Sequence, residues 1–156
     1  AIIASSVLLS IGLGIWNIAF KELVLSSFGR ESQVAFYVAD SAIECALYHD
    51  FIGLNVFPTS SDSILVGPKT CSNGEQSFGS FMCASVAVPL TLSSCDGQNA
   101  TSTFTINLGN GKAIVLIGKS DPGGTGRSAT NIVSHGQNST TNYNPTLVER
   151  GLRSSY

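Results

Sequence analysis

The chain begins with an uninterrupted apolar stretch. Residues 1–20, AIIASSVLLSIGLGIWNIAF, contain no charged side chain. Four polar side chains interrupt the apolar surface: Ser5, Ser6, Ser10 and Asn17. Twenty helical residues span about 30 Å, the thickness of the hydrocarbon core of a bilayer. The pattern therefore predicts a helix that is able to cross a membrane.

Two other interpretations of this stretch fit less well. A cleavable secretory signal has a basic start and a short apolar core, whereas this stretch is apolar from its first residue and leads into Lys21 and Glu22. The core helix of a soluble domain is apolar along one stripe, not all round. The chain also begins without Met, so we expect that an upstream leader has been removed or that the sequence is incomplete at its start.

Residues 21–51 continue the helix with an amphipathic pattern. Apolar residues recur at spacings of three, four and seven: Val24, Phe28, Ala35, Val38, Ala42 and Cys45. Charged side chains lie largely at other positions. Together the two halves predict one helix of about fifty residues and ~75 Å, which has to protrude or pack against copies of itself.

Residues 52–156 have the texture of turns and strands, because all five prolines and thirteen of the sixteen glycines lie there. Alternating or apolar runs predict strands at residues 81–88, 102–108 and 112–118, and weaker ones at 63–66, 129–134 and 146–152. Gly109-Asn110-Gly111 predicts a hairpin turn, while residues 121–126 and 136–144 read as loops. The expected fold class is α+β: a small antiparallel sheet packed against the second half of the helix.

The composition excludes several functions. Charged residues make up 12% of the chain, the net charge is −2 and the basic side chains do not cluster, so no electrostatic footprint for sequence-specific nucleic-acid binding is present. Three aspartates, Asp62, Asp96 and Asp121, are too far apart in sequence to predict a calcium loop. Neither histidine lies in a recognisable catalytic context, and His49 reads as a residue at a helix end. We expect no enzyme, no metal site and no cofactor.

Four cysteines, Cys45, Cys71, Cys83 and Cys95, have no C-x-x-C spacing, which favours disulfides in an oxidising compartment over a zinc site. Two bridges allow three connectivities. The preferred one joins Cys45 to Cys71 and Cys83 to Cys95. Glycosylation sequons begin at Asn99 and Asn138, although such tripeptides are common by chance.

An apolar N-terminal helix that becomes amphipathic and leads into a small disulfide-bearing sheet domain resembles the type IV pilins and pseudopilins. Residues 29–48, GRESQVAFYVADSAIECALY, and residues 144–153, NPTLVERGLR, resemble pilin-like pilus assembly proteins of small-celled candidate bacterial phyla. The resemblance implies a subunit that is stored in the cytoplasmic membrane and extruded by an inner-membrane assembly machinery. It then polymerises with copies of itself into an extracellular filament, for adhesion, motility or DNA uptake.

Three alternatives remain open. One is a single-span membrane protein that displays an extracellular binding domain without polymerising, and another is a minor pilin or secretion-system pseudopilin. The third is a membrane-tethered hydrolase, which mutation of both histidines would test. The chain also departs from the family pattern. Pilins usually begin with a methylated Phe and carry Glu at the fifth position, where this sequence has Ala1 and Ser5. Methylation of Ala1 is therefore in doubt.

Several positions of the helix are candidates for contacts between copies. Ser6, Ser10 and Gly14 form a row of small residues that allows helices to approach closely. Gly12 and Gly14 weaken the helix by about 1 kcal/mol each relative to Ala. Because the helix is often locally unwound near such a place in filaments of the pilin family, the resemblance implies an unwound stretch between residues 10 and 20 in a filament. The candidates for charge pairing between subunits are Lys21, Glu22, Arg30 and Glu31.

Overall fold

The computed structural model describes residues 2–52, 56–57, 76–95, 99–120, 129–141 and 147–156. The chain begins with a single helix, α1 (Ile2–Phe51), of 50 residues. At 1.5 Å per residue it is about 75 Å long. It ends where the sequence pattern predicts, and its N-terminal part is long and apolar enough to cross a membrane.

Six strands follow the helix and form one antiparallel sheet in chain order. They are β1 (Gln76–Cys83), β2 (Val86–Cys95), β3 (Asn99–Leu108), β4 (Gly111–Ser120), β5 (Ala129–Gln137) and β6 (Glu149–Ser155). Each strand pairs with its neighbour in sequence, so β1 and β6 are the edges of the sheet. The α+β architecture predicted from the sequence is thereby confirmed.

The strand predictions hold best in the centre of the sheet. Residues 102–108, 112–118 and 129–134 lie in β3, β4 and β5, and Gly109 turns between β3 and β4 with a φ of 60°. Residues 149–152 of the weak strand predicted at 146–152 lie in β6. The loop predicted at 136–144 is wrong at its start, because Gly136 and Gln137 still belong to β5. The predictions for residues 63–66 and 121–126 lie outside the described residues.

One strand prediction is wrong. Residues 81–88 are not a single strand, because the chain reverses at Ala84 and Ser85 and so divides them between β1 and β2. Both turn residues have positive φ, 47° and 65°, the conformation of a tight hairpin that glycine or asparagine usually supplies. The run FMCASVAV contains neither residue, so its alternation hides the turn.

The helix crosses the sheet on a row of alanines. Ala35, Ala39, Ala42 and Ala46 are completely buried, and they face mainly β4, β5 and β6. Small side chains bring the two backbones close together. A Cβ on Gly136 would lie 2.1 Å from the carbonyl oxygen of Ala35, so only glycine fits there. Ser134 completes the contact by donating a 2.8 Å hydrogen bond to the carbonyl of Ala39.

The larger core side chains lie toward the other edge of the sheet. Phe81 packs edge-on against Phe57 and Phe104, with ring centres 5.6 and 5.0 Å away. Aliphatic residues of β2, β3, β4 and β5 complete this cluster: Val88, Leu90, Ile106, Val115, Ile117 and Ile132. The core therefore covers only the second half of α1, as the sequence predicts.

Candidate assembly surface

The first two-thirds of α1 carry a continuous exposed apolar surface. We call residues 2–34 the stalk, since none of them is buried by the sheet. Val24 and Phe28, which the sequence pattern assigns to the packing face, are exposed here, so that face is confirmed only from Ala35 onward. The large apolar side chains of the stalk are all exposed: Ile2, Ile3, Val7, Leu8, Leu9, Ile11, Leu13, Ile15, Trp16, Ile18, Phe20, Leu23, Val24, Leu25, Phe28 and Val34.

The stalk is longer than a bilayer requires. Residues 2–20 already span about 30 Å as a helix, which matches the hydrocarbon core. Residues 21–34 extend a further ~20 Å before the sheet covers the helix. This second part still carries apolar side chains, and Leu23 and Leu25 are 70% and 73% exposed. A hydrocarbon core that covers residues 2–20 does not reach these groups.

The predicted small-residue row lies on the exposed stalk. Ser6, Ser10 and Gly14 are exposed, and a Cβ on either Gly12 or Gly14 would meet nothing within 4 Å. In the single chain the helix runs without a break through residues 10–20. The unwinding that we expect in a filament stays a prediction about the assembled state.

The four predicted charge-pairing residues differ in their surroundings. Lys21, Glu22 and Arg30 are exposed and make no hydrogen bond or ion pair with any described residue. Glu31 is engaged inside its own chain, where its carboxylate accepts a hydrogen bond from the side-chain amide of Asn138. Glu31 thus helps to fix the helix to the sheet domain.

Asn138 is a structural residue that the sequence reading missed. Its side chain is 6% exposed, and its carbonyl oxygen accepts a 2.9 Å hydrogen bond from the backbone N–H of Val148. Next to it, Arg150 donates a 2.8 Å hydrogen bond to the hydroxyl of Ser32. The amide of Asn138 joins two segments, so the sequon that begins there is not open to glycosylation in the folded chain.

A groove lies where the stalk leaves the sheet domain. We call it the neck groove; one wall is the helix and the other is formed by the β3–β4 turn and the segment after β5. Its lining residues are Leu23, Ser26, Ser27, Arg30, Glu31, Val34, Gly109, Asn110, Asn138, Ser139 and Thr140. Of its two charged groups, Glu31 is bonded to Asn138, and Arg30 has no partner among the described residues.

The far end of α1 is held by a buried ion pair. Asp50 pairs with Lys119 of β4, and the exposed fractions of their side chains are 7% and 11%. The other oxygen of Asp50 accepts a 2.5 Å hydrogen bond from the hydroxyl of Tyr156, whose ring stacks on Phe51. Burial and the hydrogen bond to Asp50 raise the pKa of Tyr156, so this hydroxyl stays protonated and donates.

His49 lies in the last turn of α1, as the sequence predicts, and it is also part of the core. Its Nε2 donates a 2.8 Å hydrogen bond to the carbonyl of Met82, and its ring packs edge-on against Phe81. The side chain is buried, at 8% exposed. Nothing in the sequence signals this role, because it depends on β1 reversing beside the helix.

The disulfide in the structure differs from the preferred pairing. Cys45 of α1 bonds to Cys83, the last residue of β1, with their Cα atoms 5.9 Å apart. The pairing of Cys45 with Cys71 and of Cys83 with Cys95 is therefore wrong. That pairing assumed that Cys71 ties the helix to the sheet domain and that Cys83 and Cys95 close a short local loop, whereas the turn at Ala84 and Ser85 leaves Cys83, at the end of β1, beside the helix. Cys71 and the side chain of Cys95 lie outside the described part of the structure.

Among the residues that the structure describes, His135 contacts one carboxylate and no cluster of three or more metal-binding side chains occurs. Comparison of this chain with protein-family models, with curated proteins and with solved structures finds no match. A proposal for the function of this chain therefore depends on its own sequence and geometry.

Proposed function

We propose that this protein is the structural subunit of an extracellular filament of the type IV pilus kind, and that it polymerises through its N-terminal helix. The proposal is for a structural role and not for catalysis. The observation that carries it is the exposed apolar surface of the stalk, which continues past the length of a bilayer to residue 34.

The apolar side chains of residues 2–20 and of residues 21–34 need different surroundings to be covered. Residues 2–20 can be covered by lipid alone, so they support membrane insertion without deciding between a filament and a single-span protein. Residues 21–34 lie outside the hydrocarbon core, and their apolar side chains are covered only if other protein chains surround them. Exposed apolar patches of this kind mark contacts between proteins. A bundle of parallel stalks covers both parts at once.

The sheet domain supports the same arrangement. The residues of α1 that it buries lie between Ala35 and His49, and it contacts the stalk only near its end, at Glu31 and Ser32, so the rest of the stalk is left uncovered. The disulfide and the Asp50–Lys119 pair fix the helix end to the domain. Stalks can therefore bundle in a filament core while the sheet domains remain outside.

The test replaces the apolar groups that only a filament covers. Leu23, Leu25 and Phe28 are changed together to Ser in the full chain, and membrane fractionation and negative-stain microscopy are compared with wild type. We expect the variant to insert into membranes as wild type does and to form no filaments. The matched control changes Leu116 to Ser, an exposed apolar residue of β4 away from the stalk. Wild-type protein that inserts as monomers and forms no filaments would support the single-span alternative instead.

A further inference from the structure

From residue 30 to the end of α1, the charges that stay unpaired are separated by sign; Lys21 and Glu22, nearer the N-terminus, are adjacent and opposite. Arg30 lies in the neck groove, while Asp40 and Glu44 lie lower on the helix. None of these three makes an ion pair or hydrogen bond with another described residue. By contrast, Glu31 and Asp50 on the same helix are bonded to the sheet domain. This part of the helix thus presents one unpaired cation near the neck groove and two unpaired anions nearer its C-terminal end.

These opposite charges cannot meet within one molecule. Arg30 and Glu44 are fourteen residues apart on a continuous helix, which is about 21 Å along its axis. At 100° per residue they point to the same side of the helix, within about 40°. The buried alanine row fixes the opposite side to the sheet. Both charges therefore face outward on a rigid rod, where another molecule can reach them.

We propose that the neck groove receives the outer face of α1 around Glu44 of a second copy, with Arg30 of one copy pairing with Glu44 of the next. This inference rests on the proposed function and specifies how neighbouring copies are offset. Glu44 is an exposed residue between Tyr37 and Tyr48, which are 65% and 61% exposed. The same offset of fourteen residues places Leu23 of one copy beside Tyr37 of the other, and Val34 beside Tyr48. Apolar groups then flank the charge pair.

The direction of the helices decides what this contact builds. Antiparallel copies satisfy both charge pairs in a closed dimer, but their stalks point in opposite directions and cannot share one membrane. Parallel copies form one pair at each contact, so the first copy keeps a free Glu44 and the second a free Arg30. A contact between different surfaces that does not close on itself produces an open helical polymer.

Zero-length cross-linking tests the contact directly. In the R30K variant the new amine can be coupled to a carboxylate by a carbodiimide, and wild-type Arg30 cannot. Assembled full-length R30K protein is treated and digested, and the linked peptides are identified by mass spectrometry. We expect a link between positions 30 and 44. Because these positions are ~21 Å apart on one helix, that link has to join two molecules. It should disappear in R30K/E44Q and persist in the matched control R30K/D40N.

Charge exchange separates this inference from the proposed function. R30E and E44R should each reduce the filament yield at least about tenfold, and the R30E/E44R double variant should recover most of it. The control R153E makes the same charge change on β6. If wild-type filaments form but the double variant does not recover and position 30 links elsewhere, the inference is overturned and the function stands. If wild-type protein forms no filaments, the proposed function fails.

Discussion

Single small residues determine where the helix meets the sheet. Gly136 lies under Ala35 and Ala39, and a Cβ there would come within 2.1 Å of one backbone atom and 2.6 Å of another. Backbone atoms cannot move aside as the end of a flexible side chain can. The position is therefore closed to every residue except glycine unless the helix shifts.

We expect Gly136→Ala to lower the free energy of unfolding by about 1–3 kcal/mol, the usual cost of overpacking a core. Gly118→Ala is the matched control, because the atom nearest to its Cβ is 3.9 Å away. Denaturant unfolding of both variants in detergent measures the difference. Equal midpoints for the two variants would contradict the close crossing of helix and sheet.

Asn138 connects α1 to the segment before β6 through its side-chain hydrogen bonds. Asn138→Ala removes the hydrogen bonds to Glu31 and to the N–H of Val148, so we expect a loss of about 1.5–3 kcal/mol, the range for hydrogen bonds to charged groups. Asn107→Ala, at an exposed position of β3, should change stability by less than about 0.5 kcal/mol. A stable Asn138→Ala variant, measured by thermal unfolding, would show that the neck is held by other contacts.

At the scale of the elements, periodicity predicts the helix and the central strands well. The helix is signalled by composition over fifty residues, and β3, β4 and the start of β5 carry strong β-branched patterns. The β1–β2 hairpin is missed because its turn uses Ala84 and Ser85, which have no turn signature. The same hairpin places Met82 beside His49 and Cys83 beside Cys45, so the hydrogen bond of His49 and the disulfide pairing leave no signal in the helix pattern. Contacts between distant segments, such as Glu31 with Asn138, leave no local signal at all.

The Cys45–Cys83 bridge can be checked chemically. Peptide mapping without reduction should recover a peptide pair that contains Cys45 and Cys83, and replacing both by Ser should cost about 3–4 kcal/mol, as expected for a loop of this length. Recovery of Cys45 linked to Cys71 would contradict the structure. Formation of this disulfide matters for the whole fold, because the bridge ties α1 to the edge strand β1.

The β5–β6 pair carries a small pH dependence. The hydrogen bond from Gln137, followed by the hydrogen bond and charge of His135, lowers the pKa of Glu149 below its ordinary value of 4.5. The folded state then binds this proton more weakly than the unfolded state does. The carboxylate stabilises the fold above pH 4.5, and its contribution is lost as the pH falls through the lowered pKa.

In thermal melts, Glu149→Gln should therefore be less stable than wild type at pH 6, and the difference should shrink toward pH 3. The effect is small because water screens this half-exposed group. A difference that grows on acidification would contradict the assignment.

At the scale of the whole molecule, the exposed apolar side chains are concentrated on the stalk. The sheet domain buries its own core and ties down the end of α1, while the stalk leaves its apolar side chains uncovered. The first part of the stalk is long and apolar enough to cross a membrane, and we propose that protein covers the rest. Under the proposed function, the stalk exchanges a lipid environment for one made of its own copies.

The most direct test is an electron cryo-microscopy map of filaments assembled from the full chain. The account predicts a core of parallel stalks in which Leu23, Leu25 and Phe28 are buried by neighbouring copies, with the sheet domains outside and the helix unwound between residues 10 and 20. Full-length protein that remains monomeric in lipid, or filaments whose contacts leave residues 21–34 exposed, would contradict it.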